Sequence, residues 1–250
     1  MSEGPQVRRR TEWLHKQLAG RKVMKCQSVR EDIPAESLAG RSIERVFCKG
    51  KHIFIEFDGG VFLHNHLLMR GTWRKLQGNL LILPEFTWLS LYVGPYTICN
   101  IKGQMLKLAN QDQVVAQCAS LGPDAMGTPI PNDEVRQNLR QTGLPICEAL
   151  LDQSVVCGVG NIAKSEILYM AGVSPLTPGC DLSSGCIDRL LDAIQKVLWS
   201  SYQQGGRWTC SVYRRVGLAC ERCGGSIRSL SVKPSKRATY FCPSCQRRNA

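Results

Sequence analysis

Cys220-Glu221-Arg222-Cys223 and Cys242-Pro243-Ser244-Cys245 stand in the last 31 residues of a 250-residue chain. Two Cys-x-x-Cys knuckles separated by about 20 residues can fold back until four thiolates reach one tetrahedral Zn²⁺. A closed four-thiolate site leaves no position for substrate, so the spacing predicts one structural zinc, a staple for a hairpin too short to bury its own core. From Cys220 onward the basic residues are Arg222, Arg228, Lys233, Lys236, Arg237, Arg247 and Arg248, against the single acid Glu221. A rigid basic hairpin suits nucleic-acid phosphate; a metal-held terminal cap on a solvated face is the alternative.

The whole chain agrees with the first reading. Its formal charge is +12, which attracts polyanions and favours binding through counterion release. DNA, RNA and an anionic membrane surface all fit the sign. Membrane fits worst, because no apolar run approaches the roughly 20 residues that span a bilayer and no strongly basic amphipathic helix stands out. Residues 1–10 are polar and charged, without the apolar stretch of a secretion signal. Thirteen cysteines are an odd number, and those outside the knuckles are scattered, which indicates reduced thiols in an intracellular compartment. Cys26, Cys48, Cys99, Cys118 and Cys157 lie in or beside apolar stretches and read as small buried hydrophobes.

The order of elements runs from helix to strands to helices. Val7 to Leu18 reads as a basic amphipathic helix with Val7, Leu14 and Leu18 on one side and Gly20 as its stop. From Lys22 to Ala116 the pattern is of strands. Ile53, Ile55 and Phe57 alternate, Asp58-Gly59-Gly60 turns the chain, and Val61, Leu63 and Asn65 resume the two-residue period, which is a hairpin. Short runs at Leu80 to Leu83, Thr87 to Val93, Thr97 to Ile101 and Gln104 to Leu108 suit an antiparallel sandwich or barrel. Past Leu121-Gly122-Pro123-Asp124, helices are expected at Asp133 to Gln141 with Asn132 as N-cap and Gly143 as stop, at Pro145 to about Gln153, at Ile162 to Ala171, and along the stripe Ile187, Leu190, Leu191, Ile194, Val197, Leu198.

Gly158-Val159-Gly160-Asn161 lies directly before a helix N-terminus, where open backbone amides and the positive end of the helix dipole favour an anion. The glycines would admit a phosphate closely and the Asn161 amide would donate to it. An ordinary tight interhelix turn fits the same residues.

Taken in order, these pieces resemble the Fpg/Nei family of DNA glycosylases over nearly the whole chain. The resemblance rests on Met1-Ser2-Glu3-Gly4-Pro5, Gly50-Lys51-His52, His66-Leu67-Leu68-Met69, Leu121-Gly122-Pro123-Asp124, Gln153 to Glu166 and Arg237-Ala238-Thr239-Tyr240-Phe241-Cys242-Pro243. The short middle region lacks the family's D-P-R-R-F-G-type loop, which places the chain nearer the endonuclease VIII, Nei-like branch. The fold it implies is α+β and multidomain: an N-terminal antiparallel β-sandwich over residues 1–120, a helix-two-turn-helix domain over 121–215 and a β-hairpin zinc finger over 216–250.

The resemblance also implies chemistry. Members remove oxidised bases from DNA and cut the strand. After loss of Met1 the α-amine of Ser2 would attack C1′ of the damaged nucleotide and form a Schiff base, an electron sink that permits β- and δ-elimination. An α-amine titrates near about 8, so part of it is the neutral nucleophile at physiological pH. Glu3 would act as general acid on the sugar, Lys51 would hold phosphate and protonate the leaving base or ring oxygen, and Asn161, with Gly160 before it, and Arg237 would grip phosphates flanking the flipped nucleotide. Met69 would fill the hole left by the flipped base, with Arg70 lining the same groove; Trp73 reads as core. The partner is damaged double-stranded DNA, with single-stranded or bubble DNA also open, and the protein is expected to be a monomer, in the cytoplasm or nucleoid of a bacterium or the nucleus of a eukaryote.

Ser2 departs from the family's usual proline. A secondary amine gives an obligately charged iminium, whereas a serine imine must hold a proton to withdraw electrons equally well. Activity with slower strand cleavage is expected; a lineage that binds damage without cutting it is the competing reading. A zinc-ribbon RNA-binding protein would explain the charge and the cysteines but not Glu3, Lys51 or Gly160-Asn161. His64 and His66 alternate on one strand face and read as structural histidines. Glu166 has two readings, orienting the terminal amine or hydrogen-bonding in the core.

Overall fold

The computed structural model describes residues 2–78, 85–103 and 105–247. The strand expected at Leu80 to Leu83 lies outside them, as do Met1, Gln104 and Arg248. The chain divides into two compact units. One holds residues 1–2 and 7–120, the other residues 3–6 and 121–250.

The first unit is a sandwich of two antiparallel sheets. After helix α1 (Gly4–Leu18) come strands β1 (Lys25–Ser28), β2 (Ile43–Lys49), β3 (His52–Phe57), β4 (Val61–His66), β5 (Thr72–Gln77), β6 (Thr87–Tyr92), β7 (Tyr96–Ile101) and β8 (Met105–Asn110). Among the described residues one sheet has the order β2-β3-β4-β8 and the other β1-β6-β7-β5. The two-residue period decides which side chains meet. Ile53, Ile55, Phe57 and Leu63 from the first sheet pack with Leu89, Leu91 and Ile98 from the second, and Val7, Leu14 and Leu18 of α1 join the same core. Each such side chain, fully buried, stabilises the fold by about 1.5–3 kcal/mol. Helix α1 begins at Gly4, three residues before the expected Val7.

Asp58-Gly59-Gly60 makes the expected turn between β3 and β4, with Gly59 and Gly60 at φ 72° and 71°, where a side chain would be strained. The strand pattern read through Ala116 stops early. Helix α2 (Gln111–Ala119) starts from a capping box in which Asn110 Oδ1 accepts from Gln113 N at 2.9 Å and Gln113 Oε1 accepts from Asn110 N at 3.0 Å. Val114 of α2 covers Phe54, Phe62 and Ala109 on the outer face of the first sheet.

The second unit carries α3 (Asn132–Gln141), α4 (Ile146–Ala149), α5 (Asn161–Ala171) and α6 (Ser184–Gln203), then the hairpin β9 (Arg228–Ser231) and β10 (Ala238–Phe241). Two expectations need correction. Asn132 is the first helical residue of α3 rather than its cap, since Pro131 precedes it without a side-chain bond, and Thr142, not Gly143, ends the helix in extended conformation. The helix expected from Pro145 to Gln153 is a single turn. Its side chains satisfy turns instead of continuing the helix: Asp152 Oδ1 accepts from Ser154 N and Oγ, while Gln153 accepts from Gly158 N and donates to Val159 O. Gly122 lies against this segment, where a Cβ would come within 2.3 Å of Ser154 O. Gly172, at φ 67°, closes α5 as Val173 N donates to Leu168 O and Gly172 N to Tyr169 O. Among the described residues no helix is long and apolar enough to cross a membrane.

Candidate active site

One end of the β2-β3-β4-β8 sheet gathers several expected residues. Gly50 and Lys51 form the tight turn between β2 and β3, whose last pair is Lys49 with His52. Opposite His52 stands His66, the end of β4. The chain then makes the loop 67–71, with Leu68 at φ 46°, a conformation that costs a leucine on the order of 1 kcal/mol. Leu68 N donates to His66 Nδ1 at 3.0 Å, and Leu68 O accepts from Ser2 N at 3.2 Å. The Ser2 nitrogen, the loop and the Lys51 turn therefore share one end of one sheet. Met69, 60% exposed, and Arg70 project from the loop. Trp73 is core, its Nε1 donating to the buried Asn65 Oδ1 at 2.9 Å.

Behind the Lys51 turn His52, read in the sequence only as part of Gly50-Lys51-His52, joins His64 and His66. His52 Nδ1 is 2.8 Å from His64 Nε2, and the His52 ring lies 4.9 Å from that of His66. Burial, with Lys51 and Lys107 beside them, pushes His52 down to about 4; burial, then His52, pushes His64 to about 3 and His66 to about 4. All three are neutral at pH 7, and a close N···N pair requires one donor and one acceptor. His64 stacks on Phe54 at 4.5 Å. These rings contact one another and Phe54, and among the described residues the convergent group of three or more metal-ligating side chains lies elsewhere.

The second unit builds its part on the N-terminus of α5. An anion is bound there, and it is the protein's own: buried Glu3 accepts from Ile162 N at 2.8 Å and from Ala163 N at 3.0 Å. These amides and the helix dipole stabilise its carboxylate. Gly160 is required for this contact, since a Cβ there would lie 2.3 Å from Glu3 Cδ. Glu3 uses the close approach that Gly160 allows. Asn161 Nδ2 donates to Ala238 O at 3.2 Å, which ties the start of α5 to the residue after Arg237. The Arg237 loop is anchored in turn by buried Glu148, which accepts from Ser235 N and Oγ at 2.9 and 2.8 Å.

Sγ atoms of Cys220, Cys223, Cys242 and Cys245 lie within 4.8 Å of one another, Cys223 to Cys242 at 3.5 Å and Cys220 to Cys245 at 3.8 Å. Four converging thiols in a small cluster with Tyr169, Val212 and Ile227 fit a structural zinc, with every coordination position filled by sulfur. The hairpin β9–β10, which carries Arg237 and Ala238, lies between the two knuckles.

Comparison with known proteins agrees with this arrangement. The formamidopyrimidine-DNA glycosylase N-terminal domain matches residues 1–92, the formamidopyrimidine-DNA glycosylase H2TH domain residues 121–211, and the zinc finger found in FPG and IleRS residues 217–248. This chain belongs to the Fpg/Nei family. Its Nei-like relatives include endonuclease 8 2 of Mycobacterium bovis, 29% identical over 99% of this chain and 100% of that protein, and the DNA-(apurinic or apyrimidinic site) lyase Nei2 of Mycolicibacterium smegmatis, 29% identical over 98% and 99%. The Lactococcus lactis Fpg bound non-covalently to DNA containing an AP site superposes with a TM-score of 0.88 at 25% identity, covering 98% of this chain and all of that one.

Within the Fpg/Nei framework, Ser2, Lys51, Met69 and Arg70 fall in the first unit, and Glu3, Gly160, Asn161 and Arg237 in the second. Ser2 and Glu3 are consecutive in the chain yet fall in different units. Glu166 takes the second of its two readings: its carboxylate accepts from Ser211, Val212 and Tyr213 N at 2.8–3.1 Å and holds the segment leading to the zinc finger. Burial raises its pKa against the pull of those amides. Sequence reading missed Glu148 and Lys164. Their only signal was a charged residue at a position where helical neighbours are apolar.

Proposed function

We propose that this Fpg/Nei protein is a base-excision-repair DNA glycosylase and abasic-site lyase acting on oxidised bases in double-stranded DNA. The observation that carries the reading is Glu3, a buried carboxylate fixed by two helix amides and next in the chain to Ser2. Such a group can take up the proton released as the terminal amine bonds to carbon and return it to the sugar oxygen. Once Met1 is removed, the neutral α-amine of Ser2 attacks C1′, the base leaves with a proton, and the Schiff base forms with opening of the sugar ring. Loss of the C2′ proton then expels the 3′-phosphate, and a second elimination expels the 5′-phosphate. Lys51 supplies an ammonium for phosphate or the leaving group, Asn161 and Arg237 hold flanking phosphates, Met69 fills the hole left by the extruded base and Arg70 lines the same groove. In this reading residues 1–120 carry the nucleophile, 121–215 the helical DNA-binding part and 216–250 the zinc finger. The scatter of cysteines outside the knuckles and a DNA substrate support a place inside the cell.

Ser2 in place of proline favours one second reading, a zinc-dependent protein that binds damage without cutting. Borohydride trapping on an abasic-site duplex separates the two. The lyase forms a covalent adduct that disappears when the N-terminal amine is acetylated. Tight abasic-site binding with no adduct would establish the binding protein instead.

A further inference from the structure

Lys164 is a lysine with no solvent exposure, on the helix that begins with Asn161. Its Nζ donates to Asn161 Oδ1 at 2.8 Å and reaches Ala238 O at 3.5 Å. Asn161 Nδ2 donates to the same Ala238 carbonyl. An ammonium only donates, so the amide atom 2.8 Å from it has to be oxygen, and this contact, with the Nδ2 bond to the Ala238 carbonyl, fixes which way the Asn161 amide faces. Burying an ammonium is costly, and an apolar side chain of similar length would fill the space more cheaply. Burial, offset by Cys147 and Glu148, lowers the lysine to about 8, so at neutral pH it remains mostly charged.

We propose that Lys164 is a positioning residue for DNA binding: it locks the Asn161 amide so that the second Nδ2 hydrogen, the one not given to Ala238, meets a DNA phosphate, and it ties that donor to the zinc-held strand bearing Arg237. This rests on the proposed DNA-repair function and adds to it the device that aims one phosphate donor. Without the ammonium only the Ala238 bond opposes a turn that brings the amide oxygen outward, where it repels phosphate. Lysine at this place therefore acts through Asn161 and touches no DNA itself.

A double-mutant cycle tests it on the full-length zinc-loaded protein. Binding is measured at equilibrium to a duplex with one tetrahydrofuran abasic-site analogue, for wild type, Lys164→Met, Asn161→Ala, the double variant and Lys164→Arg. Lys164→Met is expected to weaken binding about tenfold, Lys164→Arg less than threefold, and the double variant no more than Asn161→Ala alone, because the lysine has nothing left to orient. Equal loss from Lys164→Met with and without Asn161, or no loss at all, overturns the proposal. If Lys164→Met does not yield zinc-loaded protein, Asn161→Asp decides: it keeps an acceptor for Lys164 but has no N–H, and wild-type affinity in it would refute the aimed donor. Wild type that does not prefer the abasic duplex over undamaged DNA would instead count against the proposed function, a result distinct from either.

Discussion

The two units solve the burial of polar side chains in opposite ways. In the sandwich, the titratable groups behind Lys51 are the buried His64 and the half-buried His52 and His66, which loss of solvent drives to the neutral form. In the helical and zinc-bearing unit, Glu3, Glu148, Lys164 and Glu166 are all nearly or fully buried, and each is held by hydrogen bonds to backbone, hydroxyl or amide groups. A neutral interior resists single changes because no charge is left stranded. A charged interior fixes donors and acceptors in direction, but removing one partner leaves another unpaired at a cost of several kcal/mol. The phosphate-binding candidates Asn161 and Arg237 belong to the charged network; the candidate nucleophile Ser2 rests on a backbone carbonyl of the neutral one.

The largest expected effect comes from breaking the charged unit at its metal. Cys242→Ser leaves three thiolates, and structural zinc contributes roughly 10–16 kcal/mol to the folding of such modules. Zinc content should fall below one per chain, and binding to an abasic-site duplex should weaken at least a hundredfold, since the hairpin carrying Arg237 has only a small apolar cluster of its own. Fluorescent zinc-release and binding titrations read both. Full affinity in a zinc-free variant would mean that the hairpin orders without metal.

Next in size is Glu148→Ala. It strips Ser235 N and Oγ of their acceptor and removes a counter-charge from Lys164, an uncompensated burial worth about 3–5 kcal/mol. Thermal melting should show that loss, with DNA affinity falling as the Arg237 loop loosens. Gly160→Ala follows at roughly 1–3 kcal/mol. Its methyl would meet the Glu3 carboxylate, so strand cleavage should drop by more than DNA binding does, which single-turnover kinetics against equilibrium titration would reveal.

The scaffold that carries this contrast was partly legible in the sequence, while most of its charged interior was not. The β3–β4 hairpin was legible because alternation and a Gly-Gly turn are local signals, and the four cysteines because metal ligands need fixed spacing. Helix α2 went unread although its capping box, Asn110 with Gln113, is local as well; its apolar stripe is short and follows a strand without a break. The length of α4 was misjudged because Asp152 and Gln153 are acceptable in helices, and only their bonds across two turns stop this one. Glu3 at the α5 N-terminus, and Lys164 against Asn161, depend on residues far apart in the chain or on burial that a single sequence does not display. The turn before α5 was legible as a helix start that favours an anion, but not that Glu3, distant in the chain, supplies a carboxylate to its Ile162 and Ala163 amides.

The smallest effect belongs to the neutral unit and gives the comparison its pH dependence. Histidines held at about 3–4 in the folded chain and near 6.5 when unfolded bind protons only in the unfolded state between those values. Stability therefore is full above pH 6.5 and declines as pH falls toward 4, by up to about 1.4 kcal/mol per pH unit for each proton so refused. His64→Phe keeps an aromatic ring against Phe54 but removes one such group and the 2.8 Å bond to His52. At pH 7.5 it should cost about 1 kcal/mol or less; between pH 6.5 and 5 its melting temperature should fall more gently than that of wild type. Melts across that range decide the matter: parallel acid limbs for the two proteins would show that these histidines are not what makes the sandwich acid-sensitive, while a flattened limb in His64→Phe beside an unaltered one in Gly160→Ala would assign it to the sheet unit.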